Sequence, residues 1–245
     1  MEQVELSFVI PAYNEEEFIE DTLGTLDEVV KNRKLRYEIV VVDDGSRDKT
    51  LARATTYARR NGHVKVVSYP SNVGKGYAVR AGFMQSAGDV VVFADSDMEI
   101  DLRVISSYID ALNCGDIVIA SKWHPDSAVK MSLSRRVMSH GFHVLVRLLT
   151  GLPIKDTQAG LKAMKKSAFV NIFSRLAVKR YAFDVELLAV ADLYGLKIVE
   201  MPTQVRIEKS FNVKESFRMF IDLLGIAYRL RVIHWYQRPL SSRYA

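Results

Sequence analysis

Short apolar runs recur through the first half of the chain, at Leu6–Ala12, Tyr37–Val42, Val64–Ser68 and Asp89–Ala94, with a weaker one at Asp116–Ser121. Between them, segments 15–32, 48–61, 76–87 and 101–113 carry the wider spacing of apolar positions that marks amphipathic helices. Strands that alternate with helices in this way predict an α/β fold. Its central sheet would be mostly parallel and Rossmann-like, with helices on both faces. Each apolar run ends in polar residues: Tyr13-Asn14-Glu15, Asp43-Asp44-Gly45-Ser46, Asn72–Gly76 and Asp95-Ser96-Asp97. These ends share one edge of the predicted sheet, which is where ligands bind in open α/β folds.

The second half has a different rhythm. Over 132–149 a helical spacing puts Met138, Phe142, Leu145 and Leu149 on one face and Arg136, His140, His143 and Arg147 on another. Over 214–236 a stripe of Phe217, Phe220, Ile221, Leu224 and Tyr228 is interrupted by Arg218, Asp222 and Arg229, which argues against a membrane-spanning helix. Two fates are open to such helices. Each can pack its apolar face on its own sheet or lay it in a membrane interface.

Composition narrows the class. Of 245 residues, 49% are hydrophobic and 26% charged, as in a globular protein rather than a disordered or fibrous one. One cysteine, Cys114, excludes an intrachain disulfide and a Cys-rich zinc site. The N-terminus lacks the basic and long apolar regions of a signal peptide. A net charge of +5 is unevenly spread: residues 129–150 hold four basic residues and no acid, and residues 206–245 hold eight basic and three acidic residues. The rest of the chain is slightly acidic. Basic segments attract phosphorylated substrates, anionic head groups or nucleic acid, but neither segment contains an RNA- or DNA-binding motif.

The segment VVVFADSDMEID, residues 90–101, is the most informative. Alternate residues past a strand end point the same way, so Asp95 and Asp97 can converge. Two carboxylates suit Mg²⁺ or Mn²⁺, which can bridge the phosphates of a nucleotide. A helix-capping turn is the plainer reading of the same residues.

Order adds specificity. SFVIPAYNEEEFI (7–19), EIVVVDDGSRDKT (38–50), NVGKGYAVRAGF (72–83) and the DxD strand follow one another as in the family 2 glycosyltransferases, which the chain resembles over nearly its whole length. The resemblance implies a GT-A fold and a nucleotide-sugar site formed by Pro11, Ala12, Tyr13, Glu15, Asp43, Asp44, Asp95, Ser96 and Asp97. Lys75 would lie beside the base or the diphosphate. The segments 132–169 and 180–205, with Asp156-Thr157-Gln158-Ala159-Gly160-Leu161-Lys162 and Phe183-Asp184-Val185-Glu186, are similar to the dolichyl-phosphate β-glucosyltransferases and their relatives the dolichol-phosphate mannose synthases. By that resemblance Lys122, Arg135, Ser139 and Gln158 would receive the acceptor phosphate, and Arg206 would touch the donor diphosphate. Lys122 stands where an arginine is usual, and lysine cannot grip phosphate bidentately.

The expected reaction is inverting, metal-dependent transfer of glucose from UDP-glucose to a polyprenyl (dolichyl) phosphate. Use of GDP-mannose, or of a glycan hydroxyl as acceptor, are its rivals; a non-catalytic lipid- or nucleotide-binding module is a further alternative. Asp95, Asp97 and Asp156 are the expected catalytic residues, with Asp156 a base only if the acceptor is a hydroxyl. A single domain is expected, with residues 1–120 holding the donor, 121–210 the acceptor, and 211–245 forming a membrane-associating segment. No match is found to the membrane helices of the related enzymes. Contact with lipid is therefore expected through the two basic amphipathic segments, at the cytoplasmic face of a membrane.

Overall fold

The structure is a computed structural model and describes residues 3–31, 33, 35–207 and 213–238. The first half builds β1 (Leu6–Ala12), α1 (Ile19–Lys31), β2 (Tyr37–Asp43), α2 (Thr50–Arg60), β3 (Val64–Ser68), α3 (Lys75–Gln85), β4 (Val90–Ala94), α4 (Ile105–Ala111) and β5 (Ile117–Ser121). Then follow β6 (Ala128–Lys130), α5 (Leu133–Thr150), β7 (Leu161–Lys165), α6 (Lys166–Phe173), α7 (Phe183–Leu193), β8 (Ile198–Pro202), β9 (Gln204–Arg206) and α8 (Val213–Arg231). Seven strands form one sheet in the order β3-β2-β1-β4-β7-β5-β8, and β6 pairs with β9 in a small second sheet.

Apolar runs become strands here because both faces of the sheet are covered. Phe8 and Ile10 of β1 pack with Leu23 and Leu26 of α1 and Tyr108 of α4 on one face. Val9 points to the other, where Val79 and Phe83 of α3 meet Phe93, Phe173 and Phe183. The rings of Phe83 and Phe173 stack at 3.8 Å.

β7 departs from the sequence expectation. It runs antiparallel to both β4 and β5. Its sequence, LKAMK, carries two lysines that break the apolar run, yet Lys162 is buried. A lysine tolerates that position only because its ammonium is paired, which a hydropathy pattern cannot show. Because β7 is reversed, its beginning, not its end, lies at the ligand edge. The preceding loop, 151–160, is thereby brought to that edge.

The helix expected at 101–113 is a short α4 between two 3₁₀ turns. That expected over 214–236 ends at Arg231 and is followed by a left-handed His234 and a 3₁₀ turn at Trp235–Gln237. Residues 211–212 and 239–245 of the expected C-terminal segment lie outside the described residues.

α5 and α8 lie against each other beside α7. Val146 of α5 and Leu223 and Ile226 of α8 enter the core. The stripe read from the sequence of α8 faces the other way, with Phe217 65% and Tyr228 54% exposed. α8 is therefore apolar on both sides. On α5 the expected apolar face is divided, Phe142 and Leu149 packing inward while Met138 and Leu145 are exposed. Leu133, Val137 and Leu148 of α5 are also exposed. Among the described residues no helix is long and apolar enough to cross a membrane.

The C-terminal turn is tied to α7 through Glu186, which is fully buried. Its carboxylate accepts from the backbone N–H groups of Ala177 and Val178, from the Tyr236 hydroxyl and from Arg229 of α8. Burial pushes the Glu186 carboxyl up, against the pull of these donors.

Candidate active site

The carboxyl ends of β1, β2 and β4, the start of α3 and the start of β7 meet at one edge of the sheet. The β1 and β2 ends are laced together. The Asn14 backbone N–H donates to Ser46 Oγ at 3.0 Å, and the Arg47 N–H to Asn14 Oδ1 at 2.8 Å. Pro11 accepts from Ser96 Oγ at 3.0 Å, Glu15 donates its N–H to Thr50, and the Tyr13 ring is exposed beside them. Gly45 adopts φ +70, and a Cβ there would lie 2.6 Å from the Ser71 backbone, so this turn admits only glycine.

Asp43 and Asp44 divide their work. Asp44 accepts from the N–H groups of Val73 and Gly74 at 2.7 and 2.9 Å and so shapes the loop that enters α3. Asp43 is 1% exposed, and its Oδ1 has no hydrogen-bond partner among the described residues. An unpaired carboxylate oxygen at this depth is costly. It is suited to an N–H or O–H of a bound ligand.

At the end of β4, the Asp95 carboxylate meets the Lys75 ammonium at 2.8 and 3.0 Å. Ser96 pins the turn between them and α1, its carbonyl accepting from Thr22 Oγ1 at 3.1 Å. Asp97 Oδ1 accepts from the Glu99 N–H at 3.2 Å. The Lys75 ammonium lies 3.6 Å from Asp184, which in turn is 2.7 Å from Lys162. Burial alone would push Lys75 down, but Asp184 and Asp95 outweigh it and hold it well above the usual lysine value. Burial likewise drives Asp184 up and is outweighed by Lys162 and Lys75, which hold it low. Asp95 is pushed up by burial, and Asp97 adds to this, while Lys75 opposes it.

Gly160 closes the other side of Asp95. Its carbonyl accepts the Asp95 N–H at 3.0 Å, and a Cβ on it would fall 2.0 Å from Asp95 Oδ2.

The expected acceptor residues lie further along the edge. Lys122, at the end of β5, holds Asp156 through its ammonium at 2.7 and 2.9 Å and through its backbone N–H at 2.8 Å. The Gln158 N–H adds a bond to Asp156 Oδ1 at 3.1 Å. A carboxylate has about four acceptor positions, and three hydrogen bonds, with the ammonium also close to the second oxygen, occupy most of them. Glu200 fixes the same loop by accepting from the N–H groups of Lys155 and Asp156. The Gln158 amide reaches Met219 of α8 at 3.9 Å. Beside Lys122, Trp123 packs edge-on against His140 of α5 at 6.0 Å. Arg135 lies in the first turn of α5, where Ser132 caps its N–H at 3.4 Å, and Ser139 is half-buried a turn later. Among the described residues no hydrogen bond joins Ser139 to Lys122 or Asp156. Arg206 is on β9 rather than after the last strand, and its N–H bonds the Glu99 carbonyl at 2.9 Å, close behind the DxD turn.

Three members of the site were not assigned to it from sequence: Gly160, Lys162 and Asp184. The AGLK and FDVE motifs that contain them were the available signal. Among the described residues no group of three or more His, Cys, Asp or Glu side chains is arranged to hold a metal. Asp95 and Asp97 are the carboxylate pair at the edge, a donor set that fits a hard cation completing its shell with phosphate and water oxygens.

The sheet and this edge define a nucleotide-sugar transferase of the GT-A type. The family model for glycosyl transferase family 2 matches residues 7–173, and the chain belongs to that family of glycosyltransferases. Its particular likeness is to the dolichyl-phosphate β-glucosyltransferases. It is 33% identical to that of Homo sapiens, over 94% of this chain and 77% of the relative. It is 31% identical to that of Saccharomyces cerevisiae, over 92% of this chain and 75% of the relative. Among solved structures, glucosyl-3-phosphoglycerate synthase from Mycobacterium tuberculosis, crystallised with Mn²⁺, uridine diphosphate and phosphoglyceric acid, superposes with a TM-score of 0.69. That match has 22% identity and covers 97% of this chain and 80% of the synthase, which shows a common fold.

Proposed function

We propose that this glycosyltransferase moves glucose from UDP-glucose to a polyprenyl (dolichyl) phosphate, with inversion and with a divalent cation, at the cytoplasmic face of a membrane. The donor lies across the half formed by residues 1–120 and the acceptor against residues 121–210.

The observation that carries this reading is the state of Asp156. An acceptor hydroxyl needs a carboxylate lone pair aimed at its proton. Most of the Asp156 positions are taken by Lys122 and Gln158, and the Lys122 ammonium lies on both of its oxygens. A phosphate monoester has its second pKa near ~6, so at neutral pH its oxygen attacks without a base. Asp156 then orients the acceptor loop, and Lys122 supplies charge beside it rather than a free phosphate ligand. Arg135 and Ser139 of α5, together with Gln158, then serve as the ligands of the incoming phosphate.

On the donor side, Asp43 accepts from the nucleotide through its unpaired oxygen, while Asp44 and Glu15 support the surrounding turns. Pro11, Ala12 and Tyr13 form the wall against the base. Asp95 and Asp97 would hold Mg²⁺ or Mn²⁺, which would supply positive charge against the departing diphosphate. Arg206, held to Glu99, adds to that charge.

The outward apolar faces of α5 and α8, flanked by Arg136, Arg147 and Arg231, support docking on anionic lipid. This brings a long-chain acceptor to the Asp156 loop without the chain leaving the bilayer.

The test is incubation of the protein with labelled UDP-glucose, manganese and polyprenyl phosphate in vesicles. Label is expected in the organic phase. Faster transfer from GDP-mannose would overturn the donor assignment, and release of label only into water-soluble glycans would overturn the acceptor.

A further inference from the structure

Lys162 and Asp184 take no part in the reaction just described, yet both are buried and charged. Together with Lys75 and Asp95 they form an unbroken row of alternating charge. It runs from Asp95 to Lys75 at 2.8 Å, to Asp184 at 3.6 Å, and to Lys162 at 2.7 Å. The last ammonium also donates to the Ala159 carbonyl at 2.7 Å, one residue before the glycine that touches Asp95.

Stability alone is a poor reason to keep such a row. Buried ion pairs pay a desolvation cost that a well-packed apolar pair avoids, and replacing them is often neutral or favourable. The surroundings offer apolar packing, since Val79 and Phe93 line the same small space. That space amounts to only about 10 Å³, room for no more than about one water. The Asp95 carboxylate, one-third exposed, is bordered by Gly160 on one side and by Lys75 on the other. Lys162 backs both walls: it holds the Ala159–Gly160 turn directly and reaches Lys75 through Asp184.

We propose that Asp184 and Lys162 are positioning residues that fix the Asp95 carboxylate, through Lys75 and the Gly160 turn, in the orientation that receives the cation–diphosphate group. The inference rests on the donor-site reading above and extends it to two residues to which that reading gives no ligand contact. A carboxylate held before the ligand arrives needs no reorganisation when it binds. Neighbours that orient a metal-binding carboxylate typically contribute about 10–100-fold in affinity or rate.

The experiment compares Asp184→Asn, Lys162→Met and the charge-balanced double variant with the wild type. It measures kcat, donor KM, melting temperature, and Mn²⁺ affinity in the presence of UDP by the loss of the free-ion electron paramagnetic resonance signal. Each single variant is expected to lose about 10–100-fold in kcat and in Mn²⁺ affinity, with donor KM moving less. The double variant is expected to regain most of the melting temperature but not the rate or the affinity. Recovery of rate together with melting temperature would make the row purely structural and overturn the proposal. Unchanged Mn²⁺ affinity in all three variants would overturn it as well, leaving the function intact. A wild-type protein that binds no Mn²⁺ with UDP would overturn the donor-site reading first, and this one with it. Should the variants fail to fold, Asp184→Glu and Lys162→Arg keep each charge but displace it, and the same losses are expected from them.

Discussion

Gly160→Ala isolates the placement of one carboxylate. The φ of Gly160 lies outside the left-handed range, so alanine is admitted by the backbone and only its Cβ matters. That atom would lie 2.0 Å from Asp95 Oδ2 and 2.5 Å from its Cγ. Ordinary contact begins at 3.4 Å, so something must yield by about 1.4 Å. Gly160 is bonded to Asp95 through the backbone, and Lys162 holds the residue before it, so the turn resists. The Asp95 side chain is the movable part, and a shift of that size breaks its 2.8 Å contact with Lys75. Misplacement by roughly 1 Å at a reacting centre costs on the order of 10²-fold. A hundredfold fall in kcat corresponds to about 2.7 kcal/mol of barrier. Transfer from UDP-glucose should fall by that amount, while the melting temperature drops by only a few degrees, since the strain is local. An alanine variant that keeps its rate within about threefold of wild type would refute the claim that this geometry governs the reaction.

Asp97→Ala should abolish transfer by orders of magnitude and remove its dependence on added Mn²⁺, both read in the same assay; retained metal dependence would count against Asp97 as a cation ligand. Phe217→Glu with Tyr228→Glu should leave the melting temperature unchanged but reduce recovery with floated anionic vesicles, since burial of each ring is worth about 1.5–3 kcal/mol. Leu223→Ala, on the inward side of the same helix, should instead cost about 2–5 kcal/mol in denaturant unfolding, and a loss below 1 kcal/mol would contradict its burial. Glu38 is buried between Ser7, Lys65 and the Ala87 N–H; burial pushes its carboxyl up, but these donors outweigh burial and hold it below its ordinary value of 4.5. Its stabilising effect is present above that value and lost as pH falls through the lower folded value. Melting temperatures of wild type and Glu38→Gln should therefore converge in acid below about pH 4.5; a gap that stays constant from pH 7 to 3 would exclude this linkage.

The strands that the sequence revealed are those with continuous apolar runs, because a sheet covered on both faces leaves no polar alternation to read. The DxD turn and its neighbours were legible for a local reason: motif and strand end coincide. β7 was not, since Lys162 is apolar neither in type nor in pattern and owes its burial to Asp184, far away in sequence. The same long-range pairing hid Lys122, which reads as an open phosphate ligand until Asp156 is seen on it. For α8 the periodicity located an apolar stripe correctly but could not say which way it faced. The inward residues, Leu223 and Ile226, form a second apolar side that the heavier stripe masked.

The buried carboxylate of Glu186 has a consequence for how much of the chain is indispensable. Asp184 and Glu186 share the first turn of α7, one serving the row behind the catalytic edge and the other latched to Tyr236. A protein cut short before Tyr236 would leave the buried Glu186 carboxylate with the Ala177 and Val178 N–H groups and Arg229 but without its hydroxyl donor, at a cost of about 1–3 kcal/mol, on the very turn that supports the chemistry. Shortened versions ending near residue 233 should melt early and turn over slowly together, making the Trp235–Gln237 turn a keystone for the catalytic edge.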